Sequence, residues 1–327
     1  MTRETAVNTV ILGLLIAVPA WALYADEPFT ITLATRAVIF ALAAVGLNIA
    51  LGLGGLVSLG HAVFFGIGGY AMGILASHAQ NYTPLMEWPL VLEGTKSMPV
   101  IWLTAIFASA LAALLIGILA LRTSGVYFIM ITLAFGQMIY FFAISWPAYG
   151  GEDGLSIYVR NEFPGLNTLV PIQFYGLCLA LLLVVLGLNA LLARSPFGLA
   201  LNAARQVPHR VETVGLNPVR LKLVALVISG AVTGLAGALF ADLNRFVSPT
   251  MLSWQMSGEI MVFVIIGGVA RLFGPVAGAA IFVLLEHLLG GVSDYWQVFL
   301  GLVLLLIVLS GKGGVIGMLA GRGRTHE

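Results

Sequence analysis

PIQFYGLCLALLLVVLGLNALLARSPFGLALNAARQVPHRVETVGLNPVRLK occupies residues 171–222. Its first part, Ile172–Ala193, is a continuous apolar run, and a polar, basic island begins at Ser195. A hydrocarbon core about 30 Å thick takes roughly 20 apolar residues of helix, so the first part reads as a membrane span. The island reads as a loop with structure of its own. Ser195 is placed to cap a helix with Pro196 in its first turn. Phe197, Leu199, Leu201, Ala204, Val211 and Val214 supply an intermittent apolar face, and Pro208 divides it into two short pieces. Gly215 suits a helix C-terminus, and Leu216-Asn217-Pro218 leads into the next apolar run. A short amphipathic helix on such a loop has two uses. It rests on a lipid surface, held by positive charge, or it fits a cleft in a soluble partner. The residues alone leave both open.

The surroundings of the island decide the class. Of 327 residues, 60% are hydrophobic and 9% charged, against about 25% charged in soluble domains. Such a chain cannot cover a water-facing surface, so it is an integral membrane protein. A formal net charge of +1 gives no reason to expect nucleic acid as a partner. Apolar runs of spanning length lie at about Val7–Tyr24, Ile31–Leu53, Leu56–Ser77, Val100–Leu121, Val126–Trp146, Ile172–Ala193 and Leu221–Ala241. Shorter, glycine-rich or tail runs lie at Gly258–Ala270, Gly274–Leu289 and Tyr295–Leu309. The expectation is an all-α protein of about ten transmembrane helices forming one membrane domain, residues 1–327. The runs are too long and uniform for barrel strands. Two inverted five-helix halves fit the number, without a sequence match between them. The first run also resembles a cleaved secretory signal, and that alternative stays open. The single cysteine, Cys178, lies in an apolar run and reads as a small buried hydrophobe. No His/Cys spacing suits a metal, and Gly311-Lys312-Gly313 lacks the glycine and hydroxyl of a phosphate loop. No cofactor is expected in this chain.

Basic residues set the orientation. With the N-terminus in the cytoplasm, Arg3, Arg122, Arg194, Arg205, Arg210, Arg220, Lys222, Arg271, Lys312, Arg322 and Arg324 fall inside, eleven of the 15. Arg36, Lys96, Arg160 and Arg245 fall outside or near it, with most of the acids: Asp26, Glu27, Glu87, Glu93, Glu152, Asp153, Glu162, Asp242, Glu259 and Asp294. Both termini and the island, about 195–218, are then cytoplasmic. The polar loops near His78–Pro99 and Pro147–Pro171 lie on the far side, where they offer a docking surface.

The island and the apolar run after it, SPFGLALNAARQVPHRVETVGLNPVRLKLVALVISGAVTGLAGALFA, resemble the coupling segment and next helix of branched-chain amino acid ABC permeases. The chain is most similar to the M-type subunit of the high-affinity leucine/isoleucine/valine importer family. The likeness continues in GLNIALGLGGLVSLGHAVFFGIGGYA, in FVSPTMLSWQMSGEIMVFVIIGGVARLFGPVAGAAIF and in SDYWQVFLGLVLLLIVL, in the right order and over most of the chain. It implies a type II ABC-importer-like permease in the bacterial inner membrane. It also implies a homologous second permease subunit as a heterodimer, two cytoplasmic ATPases that use ATP and magnesium, and a periplasmic substrate-binding protein. Importers carry an EAA-x3-G pattern in the coupling loop. Gly215 stands at its glycine and His209-Arg210-Val211 at the EAA positions, with Glu212 as a displaced acid. The resemblance thus assigns ATPase coupling to Arg205, His209, Arg210, Val211, Glu212, Val214, Gly215 and Leu216. SGKGGVIGMLAGRGR departs from the Arg-Pro-rich tail often found there.

Candidate pathway residues are fewer. The glycine-dense Gly52–Tyr70 stretch suits close helix packing, or irregular backbone beside a cavity with Ser58 and His61 lining it. Arg36, Glu286 and His287 are the ionisable groups placed furthest inside spans. Snorkelling and neutralisation by Asp26 or Glu27 explain Arg36; a clamp on the substrate's carboxylate and ammonium by Arg36 and Glu286 is the rival. Asn48, Gln137 and Asn189 read as makers of interhelical hydrogen bonds. No catalytic constellation stands out. Branched-chain or other mostly apolar amino acids are the expected substrates, with urea, short amides or another small solute as an alternative. An ion-coupled secondary transporter is the alternative of another class.

Overall fold

The computed structural model describes residues 3–86, 92–158, 160–291, 296–310 and 313–320. The expectations for Glu87, Asp294, Lys312, Arg322 and Arg324, and for the start of the tenth run at Tyr295, lie outside them. The chain is largely helical. Helices α1 (Arg3–Tyr24), α2 (Pro28–Asn48), α3 (Ala62–Asn81), α4 (Met98–Ala120), α5 (Val126–Ile144), α6 (Pro171–Arg194) and α9 (Pro218–Asn244) are long and apolar enough to cross a membrane. Helices α10 (Trp254–Gly267), α11 (Gly274–Gly290) and α12 (Trp296–Ser310) are shorter. Among the described residues, seven helices are thus long enough by themselves, where the sequence predicts about ten spans. Two short helices, α7 (Pro196–Gln206) and α8 (Pro208–Thr213), form the island between α6 and α9. A terminal helix, α13 (Gly314–Ala320), comes after α12.

Burial separates the helices into a core and a lipid-facing shell. In α2, 83% of the most apolar stretch is buried inside the protein, against 11% in α1 and 22% in α5. Helix α2 is therefore the central post, with α6, α9 and α11 packed beside it, and α3 packs against α9 and α4. Phe40, Phe65, Phe240, Phe263 and Phe282 interlock α2, α3, α9, α10 and α11 through ring contacts of 4.7–5.4 Å. Small residues bring backbones together at the seams: Ser109 of α4 donates to the Phe64 carbonyl at 3.0 Å, and Ser229 of α9 donates to the Gly46 carbonyl at 2.6 Å.

The loops at the C-terminal end of α9 are knitted together. Strand β3 (Leu155–Ser156) pairs antiparallel with β4 (Phe246–Val247). Strands β1 (Pro84–Met86) and β2 (Leu92–Glu93) form a second small pair. Asn161 donates to Asp242 at 2.9 Å, Thr168 donates to the Asn161 carbonyl at 2.7 Å, and the Arg160 guanidinium lies 4.4 Å from the Phe174 ring centre. The opposite end is a basic face, carrying Arg122, Arg194, Arg205, Arg210, Arg220, Lys222 and Arg271.

One span departs from the expectation. The sequence predicts a helix over Leu56–Ser77, but α3 begins only at Ala62. Helix α2 instead runs into a π-helical turn, Ile49–Leu53, and Gly54–His61 is irregular chain. Four glycines, Gly52, Gly54, Gly55 and Gly60, explain this: each weakens a helix interior by about 1 kcal/mol relative to alanine. Gly55 adopts φ +68°, which favours glycine. His61 meets α9 at Ser229 and Thr233, roughly 17 and 23 Å along that helix from its first residue at 1.5 Å per residue. Helix α3 therefore starts midway through the helical layer, and an irregular segment covers the rest. Non-helical backbone at that depth is tolerated only inside protein or beside a water-filled cavity.

Candidate functional site

The irregular segment is held by side chains from three helices. Ser257 of α10 accepts a hydrogen bond from the Ala62 N–H at 2.8 Å, which caps the start of α3. His61 is fully buried, with Nε2 3.0 Å from the Thr233 hydroxyl and 3.1 Å from that of Ser229. Each hydroxyl has one proton. Thr233 spends its proton on the Ser229 carbonyl at 2.9 Å, and Ser229 on the Gly46 carbonyl at 2.6 Å. The network therefore assigns the proton of His61 to Nε2, which donates to both, and leaves Nδ1 bare. Ser58 is buried in the same segment. The result is a neutral polar spine through an apolar core. With Nε2 as the donor, His61 is not placed to act as a base on the Ser229 hydroxyl; the spine joins α3 to α9 and α2.

Below the spine, Asn48 closes a second seam. Its Nδ2 donates to the Arg271 carbonyl at 3.0 Å, and its Oδ1 accepts from the Ala270 N–H at 3.0 Å. This bidentate clamp ties α2 to the turn between α10 and α11. Arg205 of α7 joins the same junction from outside, donating to the Gly52 carbonyl with its stem packed on Gly55. The island is thus attached to the π-helical turn, and that turn to the α10–α11 turn.

The island folds as its sequence predicts at Ser195 and Gly215, and Asn217 adds a cap that sequence reading does not name. Ser195 caps α7, its Oγ accepting from the Gly198 N–H at 3.2 Å. Asn217 caps α9 by accepting from Val219 and Arg220 N–H groups, and Gly215 takes φ +85° at the end of α8. Its outward face differs from the expected one. Val211 is buried in the protein's own body, as are Leu201 and Ala204. Leu199, Val207, Val214 and Leu216 are the exposed apolar residues. His209 and Glu212 pair on the surface at 3.4 Å, and Arg210 is exposed beside them.

The expected pathway residues do not form one site. Arg36 and Glu286 bond each other at 2.9 Å and join α2 to α11. Asp26 and Glu27 are not the partners of Arg36; Glu27 accepts from Thr30 instead. The guanidinium also lies 5.2 Å from the Phe40 ring centre. His287 is exposed and packs on Phe29 at 5.4 Å, away from the buried spine around His61. An ion pair joining α2 to α11 in an apolar layer should behave as a coupled unit. Arg36→Gln and Glu286→Gln are each expected to lower thermal stability, and the double substitution less than their sum. A coupling energy of about 0.5–3 kcal/mol in a double-mutant cycle would confirm the pair, and additive losses would contradict it.

Sequence reading misses Ser229, Thr233 and Ser257, although Ser229 and Thr233 stand four apart beside Gly230, Gly234 and Gly237. That one-face pattern of small and hydroxyl residues is the available signal.

Comparison with known proteins places the chain among transport permeases. Residues 29–308 match the family described as branched-chain amino acid transport system / permease component. The high-affinity branched-chain amino acid transport system permease protein LivM of Escherichia coli is 30% identical over 94% of this chain and 74% of its own length. Its Salmonella typhimurium counterpart is 29% identical over the same shares. A probable branched-chain amino acid transport permease protein LivH of Methanocaldococcus jannaschii is 28% identical over 33% of this chain and 34% of its own. No solved structure matches.

Proposed function

Because the chain belongs to the branched-chain amino acid transport system permease family, we propose that it is the membrane-spanning subunit of an ATP-driven importer for branched-chain or other mostly apolar amino acids. The carrying observation is the island: two helices on the basic face, with Leu199, Val207, Val214 and Leu216 exposed beside arginines. An apolar patch rimmed by charge suits a protein partner. That partner is an ATPase subunit, one of two, which binds ATP and magnesium. The likeness of part of this chain to a LivH protein, and of most of it to LivM proteins, supports a pairing of two homologous permeases. A periplasmic binding protein delivers substrate to the knitted loop end. The basic face, with both termini, is cytoplasmic in a bacterial inner membrane by the charge bias. The three shorter helices complete ten crossings of one membrane domain.

The spine suggests how motion reaches the substrate. Closure of the ATPases pushes α7 and α8. Arg205 passes the push to Gly52, and Asn48 passes it to the α10–α11 turn, so the irregular segment and the turn move together. The spine around His61 is uncharged by its hydrogen bonding, which fits a cavity that releases an apolar amino acid rather than holding it.

Val214→Asp tests the contact. A buried, unpaired charge is costly, so ATPase association and ATP-dependent uptake in vesicles containing both permeases, the ATPases and the binding protein should both be lost, with the permease still folded. Full uptake by that variant, or uptake by this chain alone on an ion gradient, would overturn the reading.

A further inference from the structure

Three aromatic rings mark where α2, α10 and α11 meet: Phe263 lies 5.3 Å from Phe40 and 4.7 Å from Phe282, centre to centre. Residues four apart on a helix share a face. One turn from these rings, toward the end away from the basic face, stand Arg36 on α2, Glu259 on α10 and Glu286 on α11. One layer of the helix bundle therefore holds one guanidinium and two carboxylates. They lie about 12, 8 and 6 Å inside the nearer ends of their helices, at 1.5 Å per residue. Arg36 spends an N–H on Glu286 Oε1 at 2.9 Å, and Oε2 of Glu286 is buried without a partner. Glu259 is half-buried and lies within electrostatic range of both. Among the described residues it makes no hydrogen bond or ion pair. His287, the next residue along α11, is exposed and packs on Phe29.

Two carboxylates against one guanidinium leave a negative charge in an apolar layer, where charges are normally paired. The open acceptors are the second oxygen of Glu286 and the carboxylate of Glu259. A primary ammonium presents three donors and a positive charge, which answers both needs. The Arg36 and Glu286 side chains are 35% and 22% exposed, so a small molecule reaches the layer. We propose that Glu259 and Glu286 bind the α-ammonium group of the transported amino acid, with Arg36 as the positioning residue that fixes Glu286. The ligand's identity rests on the transport reading, and the site narrows it to amino acids, since urea and short amides carry no ammonium. The amine of a lipid headgroup shares the chemistry but stays at the membrane surface, whereas these carboxylates lie one to two turns inside.

The purified full-length chain is titrated with L-leucine, isoamylamine or isocaproate while thermal unfolding is followed. The first two share the ammonium and the last lacks it. Leucine and the amine should raise the midpoint, and isocaproate should not. Sodium chloride and phosphoethanolamine at the same concentration should have no comparable effect. Glu259→Gln should weaken the leucine effect about ten- to a hundredfold, and Glu259→Asp less, since it keeps the charge. No shift with leucine, an equal shift with isocaproate, or unchanged binding by Glu259→Gln would each overturn the proposal. An equal shift with sodium would make this a simple cation site, and one with phosphoethanolamine would make a lipid amine the source; either result overturns the amino acid as ligand. The measurement needs neither ATPase nor binding protein. It can therefore fail while ATP-driven uptake by the assembled importer stands, and succeed where uptake proves to run on an ion gradient.

Discussion

Arg205→Leu is expected to cut ATP-driven uptake about ten- to a hundredfold while the ATPases stay bound and continue to hydrolyse ATP. The substitution keeps the apolar stem that packs on Gly55 but removes the guanidinium that donates to the Gly52 carbonyl. A hydrogen bond from a charged donor contributes about 1.5–3 kcal/mol, and each ~1.4 kcal/mol is tenfold in a coupling constant. Arg205 sits at the surface end of its contact, so the lower part of that range applies first. The logic is mechanical. Helix α7 touches the π-helical turn, and Asn48 holds that turn's helix to Ala270 and Arg271. Without the guanidinium, α7 moves and the pathway segment does not follow. Uptake and hydrolysis measured on the same vesicles separate this outcome from loss of assembly. Parallel loss of both would mean that Arg205 serves ATPase binding, and unchanged uptake would mean that the junction carries no force.

The membrane class, the island and its caps are legible in the sequence because they rest on local rules. Apolar run length, Ser195-Pro196, Gly215 and Asn217-Pro218 act within a few residues of themselves. Most of the misreadings involve partners distant in sequence. Sequence proximity offers Asp26 and Glu27 to Arg36; its real partner is 250 residues away. Val211 occupies an expected contact position, yet the turn of α8 aims it at the protein's own interior, which only the packing of the island on α9 decides. Leu56–Leu59 are apolar enough for a span, and hydropathy does not register that glycines on both sides remove the helix. The polar residues of α9 look like ordinary small-residue packing until His61 is placed among them.

Gly68→Ala carries the largest expected structural effect, and it tests whether the core is held by backbone contact. A Cβ at Gly68 would overlap the Gly234 carbonyl oxygen of α9, and one at Gly237 would overlap that of Phe65 in α3. The two helices thus touch through their main chains at two levels. Backbone atoms cannot rotate aside as a side chain can, so α3 and α9 must separate. Overpacking a core costs about 1–3 kcal/mol and sometimes more. Separation here would also break the seam at which His61 meets Ser229 and Thr233, so the upper end is expected. Gly68→Ala or Gly237→Ala should therefore yield little folded protein, or a thermal midpoint many degrees lower. Gly176→Ala on α6 makes the same chemical change where a Cβ meets nothing within 4 Å. There alanine's higher helix propensity should leave stability equal or raise it by up to about 1 kcal/mol. The contrast isolates contact from propensity. A Gly68→Ala protein as stable as Gly176→Ala would mean that α3 and α9 stand further apart than this, and that the spine between them is not closed.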